Sequence, residues 1–177
     1  IEVGLDECAR GTLFGRVYCG AVIMPTEIED DPRLLMIKDS KKLSRTQREN
    51  IIEYIKEIAI DYTVEWCDEK EIDKINISQS CQVAFHKCLN KLKIKPTSIL
   101  VDGNYFKSYN DVKHECVIKG DSKYISIAAA SILAKVYHDR YIINLCKTNP
   151  KLDLYDLQNN MGYGTKKHIL GIKDYGI

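Results

Sequence analysis

Histidine, paired cysteines and unbalanced charge are all scarce in this chain, and each shortage excludes a class of protein. Only four of the 177 residues are histidine, and no C-x-x-C pair occurs, so a zinc site is not expected. The seven cysteines are scattered and odd in number, which favours reduced, mostly buried thiols over a disulfide framework. Lys and Arg total 26 against 25 Asp and Glu, a net charge of +1. Any binding of nucleic acid must therefore depend on local basic clusters.

Long apolar runs and low-complexity segments are also missing. No run approaches the roughly 18 residues that span a bilayer, and the first residues do not form a signal peptide. We therefore expect a soluble, cytoplasmic or otherwise intracellular protein. With 177 residues, 45% of them hydrophobic, the chain is long enough for one compact domain over residues 1–177 and short for two.

Apolar periodicity predicts strands first and then alternating helices and strands. Ser44 with Gln47 three residues later is a capping-box pattern, which predicts a helix that begins there. The other predicted helices lie in 78–92, 126–146 and 166–175, and the predicted strands in 1–5, 16–24, 62–66, 98–102 and 114–118. This order favours an α/β layered domain with a mixed sheet.

Four acidic residues occupy comparable boundaries between these elements. Asp6 and Glu7 follow the first strand, Asp102 closes a central strand, and Asp121 lies between a strand and a helix. Strand ends converge in such a sheet, and two unit charges ~4 Å apart repel by about 4 kcal/mol at an effective dielectric of 20. Either some carboxylates are protonated or divalent cations neutralise them. Oxygen ligands without histidine suit Mg²⁺ or Mn²⁺, and we favour the metal.

Each acid also has an ordinary structural interpretation. Asp102 precedes a glycine and could be a turn former. Asp121 could cap the following helix, and Asp6 and Glu7 could be a loop pair. The residue pattern alone leaves these alternatives open.

The motifs together resemble the type 2 ribonucleases H, specifically the single-chain ribonuclease HII family. They span nearly the whole chain in the family's order: GLDECARGTLFG (4–15), DSKKLS (39–44), VDGN (101–104), VIKGDSKYISIAAASILAKVYHDR (117–140) and MGYGTKKH (161–168). The combination is highly specific, although any single motif is weak.

The resemblance implies a ribonuclease H-like fold, a mixed five-stranded sheet flanked by helices with a helical C-terminal part. It also implies that Asp6, Glu7, Asp102 and Asp121 are catalytic and bind two divalent ions, Mg²⁺ or Mn²⁺, which flank the scissile phosphate. The implied products carry 3′-hydroxyl and 5′-phosphate ends. The implied partners are RNA–DNA hybrids and DNA duplexes that contain ribonucleotides, bound by a monomer.

The resemblance further implies that residues 9–11 recognise the 2′-hydroxyl of the ribonucleotide. The family usually has Gly-Arg-Gly there, whereas this chain has Ala9, Arg10 and Gly11. A positive φ at Ala9 would cost of order 1 kcal/mol and could weaken junction selectivity. For Arg10 the alternative is a surface salt bridge.

Tyr163 is implied to stack on the deoxyribose that follows the ribonucleotide, the alternative being a half-buried core tyrosine. Lys41, Lys42 and Lys166 are expected to contact phosphates, whereas Met161 replaces a common lysine and could remove one such contact. For Asp139 the alternatives are contact with the metals and an ion pair along its helix, and we favour the ion pair.

The leading hypothesis is a metal-dependent endoribonuclease that hydrolyses the RNA strand of hybrids and cuts 5′ of a ribonucleotide embedded in duplex DNA. One alternative is a hybrid-only ribonuclease H without junction selectivity. A less favoured alternative is a non-catalytic hybrid-binding module, which would need a broken carboxylate set.

Overall fold

Five strands form one mixed sheet in the computed structural model, which describes residues 1–38 and 43–176. The order across the sheet is β3-β2-β1-β4-β5. β1 pairs antiparallel with β2 and parallel with β4, β2 is antiparallel to β3, and β4 is parallel to β5. The strands are β1 (Glu2–Cys8), β2 (Val17–Ile23), β3 (Asp61–Cys67), β4 (Ser98–Asp102) and β5 (Lys113–Val117).

Helices cover both faces of this sheet and make up the C-terminal part, as the sequence predicts. They are α1 (Arg33–Lys38), α2 (Arg45–Ile58), α3 (Glu69–Ile75), α4 (Ile77–Lys91), α5 (Ile125–Thr148), α6 (Leu157–Asn160) and α7 (Lys166–Tyr175). Two 3₁₀ segments, Gly120–Ser122 and Pro150–Tyr155, precede and follow α5. Within the described part of the chain, no helix combines the length and apolar character required to cross a bilayer.

Helix α2 begins where the capping box predicts. The Ser44 side chain accepts a hydrogen bond from the Gln47 backbone, and the Gln47 side chain accepts one from the Ser44 N–H. The sequence analysis missed α3, although Asp68 and Glu71 form a second capping box in front of it. A seven-residue helix with no buried residue shows too little apolar periodicity to be recognised.

Two buried layers hold the sheet between helices. On one face α4 contributes Cys81, Phe85 and Leu89, and on the other α2 and α5 enclose the second core. All seven cysteines are free, six of them buried, as predicted.

The alanine-rich face of α5 packs at very short range on β1 and β2. A Cβ added at Gly20 would lie 2.4 Å from the Ala130 carbonyl oxygen, and one at Gly4 would lie 2.4 Å from the Ile127 nitrogen. The absence of side chains at these two glycines therefore lets α5 approach the sheet closely. The neighbouring residues of α5 are thereby brought next to the end of β1.

The first strand is longer than the sequence analysis predicts. The β1–β4 ladder ends at the Leu5–Val101 pair, but the β1–β2 ladder continues as far as Cys8 opposite Tyr18. Asp6 and Glu7 therefore lie within the strand, and their interpretation as a loop pair is wrong. Hydrogen bonding to β2 keeps the chain extended after β4 has ended.

Candidate active site

Asp6 and Asp102 lie side by side because their strands are parallel neighbours. Leu5 pairs with Val101, so the next residue on each strand reaches the same edge of the sheet. Asp102 is the last residue of β4, and Asp6 continues on β1 with Glu7 after it. The sheet topology thus brings together three acids that are up to 96 residues apart along the chain.

Burial and neighbouring charge alter the protonation of two of these carboxyl groups, Asp6 and Glu7. Burial raises the pKa of Asp6 well above its usual range, and the charges of Glu7 and Asp102 raise it further against the hydrogen bond with Ser131. Burial and the Asp102 charge also raise the pKa of Glu7, while Arg10 opposes them. Neither the surrounding water nor the neighbouring positive groups therefore compensate fully for the negative charge of these carboxylates.

Asp121 lies in a short turn after β5, and this turn is hydrogen-bonded to the end of β4. It is buried within the 3₁₀ segment Gly120–Ser122, whose Gly120 N–H donates a 2.5 Å hydrogen bond to Asp102 Oδ1. The N-terminal cap of α5 is Tyr124, so the interpretation of Asp121 as that cap is wrong. The turn instead fixes Asp121 next to the Asp102 strand end.

The donor chemistry of these residues fits hard divalent cations, because all four acids offer oxygen, and burial together with neighbouring negative charge raises the pKa of Asp6 and Glu7. Glu7 Oε1 lies 3.6 Å from the Arg10 guanidinium, and Asp102 accepts the Gly120 bond. Among the described side chains of histidine, cysteine, aspartate and glutamate, no three are arranged around one ion position. The carboxylates would therefore have to move closer together to hold a shared ion.

A cavity of about 340 Å³ connects Glu7 with the loop that follows β1. Ala9, Arg10 and Gly11 form one wall and Tyr163 another. The loop is fixed to the tyrosine by a bridge between Thr12 and Tyr163. The predicted 2′-hydroxyl loop, the predicted stacking ring and one predicted metal ligand therefore line one space.

Ala9 adopts the strained backbone that the sequence analysis considered. Its φ is +72°, a conformation that glycine adopts freely and alanine does not. The Thr12 hydroxyl and N–H both bond to the Ala9 carbonyl, which maintains the turn. Gly11 has no atom within 4 Å of an added Cβ, so open space lies in front of the loop.

Tyr163 lies at the surface of this cavity and is not a core residue. It is 37% exposed, and burial of the rest of the ring raises the pKa of its hydroxyl to about 12, with a further contribution from Cys8. Lys135 Nζ lies 5.2 Å from the ring centroid. Part of the Tyr163 ring is therefore accessible to solvent beside the loop of residues 9–11.

The polar side chains of the cavity wall that were not predicted are those of Arg48 of α2 and Ser131 of α5, and Lys135 of α5 lines the cavity as well. Lys135 Nζ lies 2.9 Å from Asp139 Oδ1, which confirms the predicted ion pair of Asp139 along its helix. No sequence motif could have selected Arg48 from the other basic residues, because only tertiary packing brings α2 to this cavity.

The other positions considered for phosphate contacts are three lysines and Met161. Lys41 and Lys42 lie outside the described residues. Lys166 is the exposed first residue of α7. Met161 is buried among Ile142, Cys146 and Leu157, where its side chain packs in an apolar cluster.

Comparison with known proteins identifies the family. The sequence model described as Ribonuclease HII matches residues 3–177. The chain belongs to the ribonuclease HII family. It is therefore a type 2 ribonuclease H, an endonuclease, as the motifs indicate.

Bacterial members of the ribonuclease HII family resemble this chain over nearly its full length. Ribonuclease HII of Bacteroides fragilis strain YCH46 is 46% identical over 176 residues, which cover 99% of this chain and 84% of that protein. Ribonuclease HII of Pelagibacter ubique is 45% identical over 177 residues, which cover 100% and 91%.

Solved structures of type 2 ribonucleases H share the fold. Ribonuclease H2 from Pyrococcus horikoshii OT3 superposes with a TM-score of 0.76 at 30% identity, covering 99% of this chain and 89% of that one. Bst-RNase HIII, solved in complex with Mn²⁺, has a TM-score of 0.70 at 22% identity and covers 99% and 62%. The mixed sheet with its helical C-terminal part is thus the ribonuclease H-like fold.

Proposed function

We propose that this ribonuclease HII is a metal-dependent endonuclease that hydrolyses the RNA strand of RNA–DNA hybrids and cuts 5′ of ribonucleotides embedded in duplex DNA. The products would carry 3′-hydroxyl and 5′-phosphate ends. The observation that carries the proposal is the shared cavity, in which Glu7 faces the loop of residues 9–11 and Tyr163. An enzyme that cuts next to a ribonucleotide must recognise the 2′-hydroxyl close to the bond that it hydrolyses. The residues that bind this hydroxyl must therefore lie beside the catalytic carboxylates.

The proposed catalytic residues are Asp6, Glu7, Asp102 and Asp121, which would hold two Mg²⁺ or Mn²⁺ ions. The chemistry supplied by two such bound ions is activation of the attacking water and stabilisation of the leaving oxygen. Ser131 and the Glu7 N–H hold the Asp6 carboxyl in place. Because their pKa values are raised, Asp6 and Glu7 hold their protons more readily than ordinary carboxyl groups. Bound cations would stabilise the charged carboxylates and so make their oxygens available as ligands.

We propose that four residues recognise the substrate: Ala9, Arg10, Gly11 and Tyr163. Backbone donors and acceptors at 9–11 would contact the 2′-hydroxyl, the group that distinguishes RNA from DNA at one position. The exposed part of the Tyr163 ring would stack on the following sugar, where a missing 2′-hydroxyl leaves room for it.

Phosphate contacts are proposed for Lys41, Lys42 and Lys166, whose charges would supply locally what the net charge of +1 does not. We further propose that residues 1–177 act as one catalytic domain, monomeric and inside the cell.

The direct test is a DNA duplex with a single ribonucleotide, incubated with the protein and either Mg²⁺ or Mn²⁺. We expect one cut on the 5′ side of the ribonucleotide, mapped by gel, and no cut in an all-DNA duplex. Absence of that cut alongside normal hydrolysis of a long hybrid would overturn the junction-specific part of the proposal.

Asp102→Asn provides the second test, because it removes a metal ligand while keeping the side-chain shape. We expect cleavage to fall by at least about 100-fold, whereas the affinity for the duplex stays within a few-fold. Equal activity of Asp102→Asn and the parent protein would remove Asp102 from the catalytic set.

A hybrid-only ribonuclease H is the second candidate, favoured by the strained Ala9 in place of glycine. If it is correct, Tyr163→Ala leaves activity on every substrate almost unchanged. Under the junction-specific proposal, the same variant loses activity on the single-ribonucleotide duplex most strongly.

A further inference from the structure

A second cavity also borders the carboxylates Glu7 and Asp102. It has a volume of about 170 Å³ and shares Glu7 and Arg10 with the first cavity. Asp102 and Tyr105 also line it, together with the polar side chains of Ser78, Gln82 and Asn104. Glu7 therefore borders two cavities, one lined by Tyr163 and one lined by Tyr105 and Asp102.

Tyr105 is exposed although the loop that carries it is well anchored. Its side chain is 55% exposed, whereas the adjacent Phe106 is buried with its ring centroid 6.1 Å from that of Phe85. The Lys107 N–H donates a 2.7 Å hydrogen bond to Gln82 Oε1, and His86 Nε2 donates a 2.8 Å bond to the Lys107 carbonyl. The ring is therefore presented at the cavity by a loop that α4 holds in place.

The chemistry of the two cavities differs. Arg10 lines both, but Arg48 and Lys135 line only the first, and their positive charge suits phosphate. In the second, an aromatic face stands beside neutral hydroxyl and amide groups, which suit a base and its sugar. An exposed aromatic residue is common by itself, but a ring at the edge of a carboxylate cleft in a nucleic-acid enzyme is placed to stack on a base.

We infer that Tyr105 stacks on the nucleotide immediately 5′ of the scissile phosphodiester. This inference rests on the proposed function, which places the ribonucleotide and the following deoxyribose against residues 9–11 and Tyr163. Those contacts lie on the 3′ side of the cut, so we assign the 5′ neighbour to the second cavity, which also borders Glu7. The cleaved strand then passes from Tyr105, over Glu7 and Asp102, to Tyr163.

The test pairs protein variants with a modified substrate. One duplex contains a single ribonucleotide, and a second is identical except that the nucleotide 5′ of the cut is abasic. We expect the parent to show about tenfold lower kcat/KM on the abasic duplex. On the intact duplex, kcat/KM of Tyr105→Ala should be about tenfold lower than that of the parent. On the abasic duplex, kcat/KM of this variant should fall little further. Tyr105→Phe, which keeps the ring, should match the parent.

Tyr175→Ala is the matched control, because Tyr175 is similarly exposed, at 58%, and lines neither cavity. Parent-like cleavage by Tyr105→Ala, or an equal abasic penalty in Tyr105→Ala and the parent, would overturn the inference and leave the proposed function intact. If the parent cuts neither duplex with either ion, the proposed function fails and the inference fails with it.

Discussion

At the scale of single residues, the most informative position is Ala9. Its φ of +72° places an L-residue with a Cβ in the left-handed region, and the loop still closes through Thr12. The residue is almost fully buried, at 4% exposure, so the strain is maintained by its surroundings.

Ala9→Gly is expected to raise the free energy of unfolding by about 0.5–1 kcal/mol, because relief of strain exceeds the added entropy of the unfolded chain. Urea denaturation measures the change. Ala59→Gly is the control, since Ala59 has a φ of −67°, and there glycine should destabilise. A loss of stability in both variants would show that the Ala9 backbone is not strained.

At the scale of elements, the contact between α5 and the sheet determines where the site forms. The close approach at Gly4 and Gly20 positions Ser131 next to Asp6 and Lys135 next to Tyr163. The same helix carries the Asp139 carboxyl, which is buried beside His138 and Lys135.

Gly20→Ala is expected to destabilise the fold by about 2 kcal/mol or more, because the added methyl group would meet a backbone carbonyl that cannot rotate away. Thermal or urea unfolding provides the measurement. Gly11→Ala is the matched control, as its added Cβ has no neighbour within 4 Å, and its stability should stay near that of the parent. Equal stability of both variants would contradict the close helix–sheet packing.

Asp139→Asn is expected to lower the free energy of unfolding at pH 7 by about 2 kcal/mol, since charged hydrogen bonds are lost. Burial opposes ionisation of Asp139, but hydrogen bonds from His138 and Lys135 outweigh it and lower its pKa. Its contribution is therefore present above the unfolded pKa of about 3.9 and is lost as the pH falls through the lower folded pKa.

The pH dependence of that difference is the critical measurement for Asp139. Unfolding of the variant and the parent, followed from pH 7 to pH 2, should converge at the acid end. Asp174→Asn changes an exposed carboxylate on α7 and should follow the parent throughout. A constant gap between Asp139→Asn and the parent would show that the loss is not electrostatic.

At the scale of the whole molecule, charge is nearly balanced overall but not locally. The net charge is +1, yet Arg10, Arg48 and Lys135 line one cavity with Glu7 as its acidic residue. A polyanion should therefore be attracted at this cavity, and binding should weaken with salt.

Arg48→Met is expected to weaken binding to all duplexes alike and to reduce the slope of log K against log salt by about 1, because one phosphate contact is lost. Fluorescence anisotropy without divalent ions measures this slope. Arg33→Met is the control, since Arg33 pairs with Asp31 and lines neither cavity. Arg48→Lys should restore the slope, and an unchanged slope in Arg48→Met would exclude the contact.

Much of the element order could be predicted from local signals. The Ser44 capping box, the buried stripe of α4 and the bounds of α7 all depend on residues close in sequence. Helix α3 could not be predicted from apolar periodicity, because it has no buried face. The extension of β1 past Leu5 could not be predicted either, because it depends on pairing with β2.

The sequence by itself determined the family and the mixed α/β fold, and its motifs predicted the four acids. Only the tertiary structure decided that Arg48 and Lys135 line a cavity with Glu7, that Tyr105 lines a second cavity with Glu7, and that Ala9 has a positive φ. Sheet order and the close packing of α5 bring distant residues together, and no local pattern encodes contacts across such separations.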